Sequence, residues 1–278
     1  MKWIRCGAAG RERTGLVDDD GVARDVSSVL PHLDLPRWTR RDWAAARRLK
    51  ATDFPKVRSG SRLGVPFTGI SKVVGIGLNY RDHALEAGLP IPTDPIVFLK
   101  ATTSISGPND PVVCPPDAVA LDWEVELGVV IGREARRVTE RQALDHVAGY
   151  TVVNDVSERQ WQFERGGTWD KGKGADTFAP IGPWLVTADE VPDPQNLALW
   201  LDVNGRPQQR GHTGAMIFGV AELVSRVSHY MTLLPGDVIC TGTPPGVGMG
   251  AKPPVYLRRG DVMTLGIDGL GQQRQTVV

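Results

Sequence analysis

The sequence predicts a mixed α/β, β-rich fold, a mixed β-roll or barrel with a small N-terminal domain. Short apolar runs bounded by glycine and proline dominate the chain, which has 32 Gly and 21 Pro in 278 residues. That punctuation belongs to strands and turns. Helical patterns are fewer than strand patterns and are not regularly interleaved with them, which argues against a doubly wound parallel sheet. A change of texture near Ile70 separates an N-terminal domain, residues 1–69, from a larger one, residues 70–278.

In chain order, MKWIRCG and TGLVDDDGVARDVSSVL read as short strands around a turn at Asp18–Gly21. RWTRRDWAAARRLK (37–50) reads as a basic surface helix with Thr39 as its N-cap, its positive face a solvated one. FPKVRSGSRLGVPFTG is a connection broken by Pro and Gly. SKVVGIGL is a strand. NYRDHALEAG is a short helix capped by Asn79, with Asp82 at the third helical position and Gly88 as its stop. DPIVFLKATTSI and LDWEVELGVVIG are strands, TERQALDHVAG (139–149) a helix capped by Thr139, and YTVVNDVS a buried strand. NLALWLDVNGRPQQ alternates about an Asn-Gly turn, a hairpin signal. MIFGVAELVSRVSHYMTL (216–233) has the spacing of an amphipathic helix. GDVICTGTPPGVGMG runs from a strand into a Gly/Pro loop, and GDVMTLGIDGLGQQRQTVV closes as a hairpin.

Lys+Arg and Asp+Glu both number 32, so the chain offers no global attraction for nucleic acid or an anionic membrane. No apolar run approaches the ~18 residues of a membrane span, and the N-terminal stretch has no signal-peptide core. Cys6, Cys114 and Cys240 are too scattered for a metal pair, and their odd number argues against a disulfide framework. The expectation is a cytoplasmic protein.

Within LDWEVELGVV (121–130), Glu124 and Glu126 interrupt an apolar strand. Residues two apart in a strand share a face, so both carboxylates enter one region about 7 Å apart along the chain. A solvent-facing edge strand is the plain alternative. Asp155, where the apolar run of GYTVVNDVSERQ meets a loop, supplies a third carboxylate. Three oxygen donors without a Cys/His cluster suit Mg2+, Mn2+ or Ca2+ and not zinc. A divalent cation would also remove the repulsion among the three. TGTPPGVG (241–248) lacks the Gly-Lys-Ser/Thr of a phosphate loop, and GIGLNY lacks the third spaced glycine of a dinucleotide fingerprint.

VGIGLNYRDHALEAG, DPIVFLKATTSISGPND, DWEVELGVVIG, AGYTVVNDVSER, KGKGADTFAPIGPWLVT and PGDVICTGTPPGVG, in that order, resemble the fumarylacetoacetate hydrolase family. The resemblance implies that family's roll, with Mg2+ or Mn2+ on Glu124, Glu126 and Asp155. It also implies substrates with a 2-oxo acid head, often 2,4-dioxo acids. Cleaving a carbon–carbon bond leaves a carbanion, and a 2-oxo group beside a cation takes up that charge. His83 and Glu86, i and i+3 on one helix face, are implied as the base for water and its orienting partner. Such a base contributes roughly 10²–10⁴-fold; the alternative is a surface ion pair. The helix is implied to be a lid that hinges at Gly75, Gly77 and Gly88.

Lys173 matches the family's active-site lysine, with Lys171 a solvated neighbour. Gly174 and Ala175 stand where many relatives carry a bulkier residue. Gly242, Thr243 and the loop backbone would cradle a carboxylate or oxo group, and Arg81 joins them as a substrate contact. Arg159, Gln162 and Arg165 would read hydroxyls or a second carboxylate, or else support their loop. NDVSERQWQFERGGTWDKGKG looks like a bacterial branch whose members are named as 2,4-diketo-3-deoxy-sugar-acid hydrolases or ureidoglycolate lyases.

The expected activity is divalent-metal-dependent hydrolysis of a 2,4-dioxo acid, an acylpyruvate or a 2,4-diketo-3-deoxy sugar acid, to pyruvate and a second acid. The expected assembly is a homodimer. The alternative enzyme reading is a 2-oxo acid decarboxylase, isomerase or ureidoglycolate lyase on the same metal site. Outside enzymology, the alternative is an inactive, metal-stabilised binding protein.

Overall fold

One long sheet, with strands drawn from distant parts of the sequence, organises the molecule. The computed structural model describes residues 1–86, 88 and 90–278. The sheet runs in space through Ala23–Asp25, Arg13–Val17, Lys2–Cys6, Ala179–Thr187, Val147–Asn154, Val125–Ile131, Val238–Cys240, Val73–Gly77 and Ile96–Lys100. Among the described residues its two end strands do not bond to each other. Of the roll or barrel expected, the β-rich roll is what the described residues form, without closure into a barrel. A second, four-stranded antiparallel sheet (Arg206–His212, Ala198–Val203, Val262–Ile267, Gly271–Thr276) packs on the first. Leu201 and Leu265 from it share a core with Leu127 and Val129 of the long sheet, and with Leu223 and Val227 of the helix Val220–Tyr230.

The segment 1–69 adds its strands to the same long sheet through the pairs Lys2↔Val186 and Trp3↔Leu185. Trp3, Leu16, Leu35 and Phe67 bury against Val130, Val153, Ile181 and Val238. The strand Val125–Ile131 is thus covered on both faces and buried throughout, which is why it reads as a nearly continuous apolar run.

Local chemistry accounts for many boundaries. Thr39 and Asp42 form a capping box on the helix Arg40–Ala46. Trp38 and Trp43, on either side of that cap, meet edge to face with centroids 4.6 Å apart, a hydrophobic staple. The helix is shorter than the expected 37–50 span. Gln142 accepts from both the backbone N–H and the hydroxyl of Thr139, but that helix ends at Ala143, followed by a 3-10 turn and the strand Val147–Asn154. Asn204 and Gly205 both have positive φ, 52° and 72°, as a type I′ hairpin turn requires.

Two expectations are corrected. The stretch 121–131 is not one strand: Leu121–Asp122 pairs with Ser157–Glu158, the chain breaks at Trp123–Glu124, and Val125–Ile131 resumes. Asn79 does not cap the helix Arg81–Glu86. Its buried amide donates to the Phe218 and Thr241 carbonyls at 3.0 and 2.8 Å and accepts from Phe218 N–H at 2.8 Å. With the side chain so engaged, none of it is left for the helix. Leu78 before it takes φ +53°, a costly left-handed conformation that redirects the chain from strand to helix.

Among the described residues no helix is long and apolar enough to cross a membrane. Asn79→Ala would leave three buried backbone groups without partners. We expect a loss of about 3 kcal/mol, read as a lower urea midpoint at unchanged m-value. A change below about 0.5 kcal/mol would show that water replaces the amide.

Candidate active site

Glu126 lies on the strand Val125–Ile131, Glu124 in the break before it, and Asp155 just beyond the end of Val147–Asn154. The register Asn154↔Val125 brings these places together, and the Asp155 N–H donates to the Glu124 carbonyl at 2.9 Å. The Asn154 side chain accepts from Glu124 N–H at 3.2 Å. One carboxylate oxygen from each of Glu124, Glu126 and Asp155 lies within 4.8 Å of the others, and all three residues are buried.

Three cations surround them. Lys173 Nζ donates to Glu124 Oε2 and Asp155 Oδ2, both at 2.8 Å. Lys100 Nζ donates to Asp155 Oδ1 at 2.5 Å and to the Val156 carbonyl at 3.2 Å. Arg159 donates through Nη2 to Glu124 at 2.7 Å, through Nε to Asp122 at 2.8 Å, and through Nη1 to Gln162 at 3.0 Å. Glu126 has no such partner among the described residues and accepts from Gly242 N–H at 2.7 Å.

The acidities follow. Burial works to raise the Glu124 carboxyl, but Lys173 and Arg159 outweigh it and hold it well below the usual carboxylate range. Burial, then Asp155 and Glu124, push Glu126 well above that range. Burial works to lower Lys173, yet Asp155 and Glu124 hold it above its ordinary value. With Asp122 counted, four carboxylates face three cations. The uncompensated one, Glu126, belongs to the triad. Hard oxygen donors in this number, short of positive charge, fit a divalent metal cation.

The triad opens into a cavity of about 410 Å3, mouth included, which His83, Arg159, Gln162, Lys173 and Thr243 also line. His83 is buried, its Nδ1 3.1 Å from Glu86 Oε2. The Glu86 carboxylate also accepts from Gly246 N–H, at 3.1 and 3.2 Å, which ties the helix to the Gly/Pro loop. Asp122 in turn accepts from the N–H groups of Gly248 and Met249 at 2.7 and 3.0 Å. The loop is therefore held at one point by the dyad and at another by the partner of Arg159.

The other expected site residues are either engaged by the protein itself or lie off the cavity. Gly242 spends its N–H on Glu126. The Thr243 hydroxyl donates to the Val125 carbonyl at 2.9 Å and accepts from Gln209 at 2.7 Å, so it braces the loop against the strand. Arg81 is exposed and off the cavity. Two residues along a helix is about 200° of rotation, so turning His83 inward turns Arg81 outward. Arg165 also lies off the cavity, 3.4 Å from Asp117 and over the Trp161 ring. Lys171 is exposed and donates to the Arg165 carbonyl at 2.6 Å.

Gly75 pairs with Cys240 on one side and Phe98 on the other, and Gly77 pairs with Ile96, so both lie within the sheet and not in a loose hinge. A Cβ on either would lie 2.2 Å from the Phe98 ring or 2.1 Å from the Trp169 ring; their absence of a side chain admits those rings. Gly88, with φ +67°, follows the helix as expected. Lys100, Asp122 and the rings of Phe98, Phe163 and Trp169 escaped the sequence reading. The signal that found Asp155, a charge at the end of an apolar run, also marks Lys100 in IVFLK.

Residues 72–278 match the family described as fumarylacetoacetate (FAA) hydrolase C-terminal. A protein of Burkholderia ambifaria named only as a hydrolase is 57% identical over 280 residues, covering 99% of this chain and 98% of its own. The solved fumarylacetoacetate hydrolase of Exiguobacterium antarcticum is 37% identical with a TM-score of 0.86, over 100% of this chain and 99% of that one. The 5-carboxymethyl-2-hydroxymuconate delta-isomerase of Mycobacterium smegmatis is 35% identical with a TM-score of 0.79, over 100% and 98%.

The raised pKa of Glu126 gives a signed expectation for the metal-free protein. Folding then favours the protonated carboxyl, so this contribution to stability is full below the unfolded value of about 4.3 and is lost as pH rises through the folded value. Glu124, shifted the other way, contributes above about 4.3 and loses its contribution as pH falls through its depressed value. Glu126→Gln should therefore raise the melting temperature of the EDTA-treated protein at pH 7, by roughly 2–4 °C per kcal/mol. Mg2+ should stabilise the native protein and leave the variant unmoved. Calorimetry at pH 7 with EDTA and with Mg2+ checks both; a metal-free variant less stable than the parent would refute the like-charge account.

Proposed function

We propose that the chain, which belongs to the fumarylacetoacetate hydrolase family, hydrolyses a carbon–carbon bond of a 2,4-dioxo acid to pyruvate and a second acid. An acylpyruvate and a 2,4-diketo-3-deoxy sugar acid are the two substrate types in view. The observation that carries this reading is the meeting of the buried triad and His83, itself paired with Glu86, on one cavity. Glu124, Glu126 and Asp155 would hold Mg2+ or Mn2+, with Ca2+ admitted by the same donors. When bound, the cation supplies the Lewis acid that polarises the 2-oxo group and neutralises the head carboxylate.

The chain's own groups do the rest. With Nδ1 facing Glu86, His83 has Nε2 free to take a proton from the water that adds to the distal carbonyl. Glu86 fixes the ring and stabilises the imidazolium. Lys173, kept charged by its carboxylate neighbours, offsets the negative charge that develops at C3 as the bond breaks. Arg159 keeps Glu124 ionised and oriented. Isomerisation or decarboxylation of a 2-oxo acid, with an isomerase among the structural relatives, is the second reading. It has no need of activated water, and the dyad favours hydrolysis.

The same reading places the enzyme in the cytoplasm, where its three free cysteines stay reduced. It also makes the enzyme a homodimer, which light scattering at micromolar concentration tests.

Turnover of acetylpyruvate, followed by pyruvate release, should vanish with EDTA and return with Mg2+ or Mn2+. His83→Ala should lower kcat by roughly 10²–10⁴ with little change in KM. Asp155→Ala should lose both binding and turnover. Full activity in metal-free enzyme, or native kcat in His83→Ala, would defeat the proposal.

A further inference from the structure

We infer that the substrate's acyl tail is a hydrocarbon group, neither carboxylate-terminated nor hydroxylated, lying along an aromatic wall built by Phe98, Trp169 and Phe163. This rests on the 2,4-dioxo acid reading and narrows it to acylpyruvates.

The first ground is the distribution of charge. The cations on the cavity, Lys173 and Arg159, are both committed to carboxylates at its head end. Lys100 is committed to Asp155. Arg165, expected to read hydroxyls or a second carboxylate, and Arg81, expected as a substrate contact, lie off the cavity. Positions 87 and 89 are Ala and Leu and bring no charge. A carboxylate at the tail would enter a site already short of positive charge and find no uncommitted lysine or arginine among the described residues that line the cavity, a heavy desolvation cost. A polyol tail fares little better. Thr243 already donates to Val125 and accepts from Gln209, and its one remaining lone pair, His83 and the Gln162 amide are too few to satisfy several hydroxyls.

The second ground is the wall itself. Phe98 lies under Lys173, whose Nζ is 5.2 Å from the ring centroid. Trp169 follows at 5.6 Å and Phe163 at 5.9 Å beyond it, both tilted or edge-on. Exposure rises along this row, from 7% at Phe98 to 43% at Phe163, so it leads from the charged head end to solvent. All three rings line the cavity, with Leu78 and Met249. Gly75 and Gly77 leave space for the inner two rings. Apolar walls of this kind favour an apolar group by transfer from water and by ring contact.

Butyrylpyruvate and succinylpyruvate have the same length and differ in a terminal methyl against a carboxylate. With Mg2+ present, kcat/KM should favour butyrylpyruvate by at least about 100-fold in the native enzyme. Calorimetric affinity should show the same preference in His83→Ala, where turnover is suppressed. Phe163→Lys, a change at an exposed position, should reduce the preference about tenfold by placing an ammonium at the mouth. Equal or reversed preference overturns the inference, as does an unchanged ratio in folded Phe163→Lys. If butyrylpyruvate binds preferentially but neither compound is cleaved, the tail inference stands and the hydrolase reading falls. If neither binds, the tail inference falls as well.

Discussion

Glu124, Glu126 and Asp155 converge in the interior, and much of the surrounding architecture answers their repulsion. Bringing like charges together in a medium that screens poorly costs free energy unless opposite charge is brought with them. The fold brings it from three separate places: Lys100 at the end of an edge strand, Arg159 at the start of a short helix, and Lys173 at the end of another. Each ammonium or guanidinium reaches at least one carboxylate at hydrogen-bond distance. Compensation stops short at Glu126, whose burial beside two other acids is a stability cost that a cation would relieve. Holding donors on bonded strand ends also fixes their separation before any ligand arrives.

The same contacts tie the carboxylate triad to the His83–Glu86 pair. Arg159 grips Glu124 and Asp122 together. Asp122 holds Gly248 and Met249 of the Gly/Pro loop, and Gly246 of that loop holds Glu86. The helix carrying His83 has six residues, too few to be stable alone. Its position comes from Asn79, from the Tyr80↔Met216 bridge and from Glu86 on the loop. His83, placed this way, inherits its alignment from the residues that organise the carboxylates.

What could be read from the sequence was what local chemistry or a lone charge decides. Thr39 with Asp42, Asn204-Gly205, and Glu126 or Asp155 in apolar runs all carry their meaning within a few residues. Asn79 misled because the stretch around it has a capping pattern, while its partners lie 139 and 162 residues away. Arg81 and Arg165 sit near motif residues in the chain, but helix phase and a turn aim them outward. The texture change at Ile70 is real, yet the pairing of Trp3 with Leu185, which joins segment 1–69 to the long sheet, leaves no trace in composition. Lys100 and Asp122 depend on partners 55 and 37 residues distant, beyond the reach of periodicity.

The cavity divides by the rigidity of what builds it. Its charged end rests largely on strands of the long sheet and their ends, buried and bonded on both sides, where one altered residue disturbs several hydrogen bonds. Its aromatic side comes largely from the short helices and connections between Arg159 and Lys173, where Phe163 and Trp169 hold few polar obligations. Segments of the second kind accept substitution with less damage to the fold. A family built so can keep one mode of activating a substrate head while changing what lies beyond it. A hydrolase and an isomerase at 37% and 35% identity to this chain, with TM-scores of 0.86 and 0.79, are what such a division permits. Fold likeness therefore speaks to the head of the substrate, and only side chains at the variable wall speak to its tail.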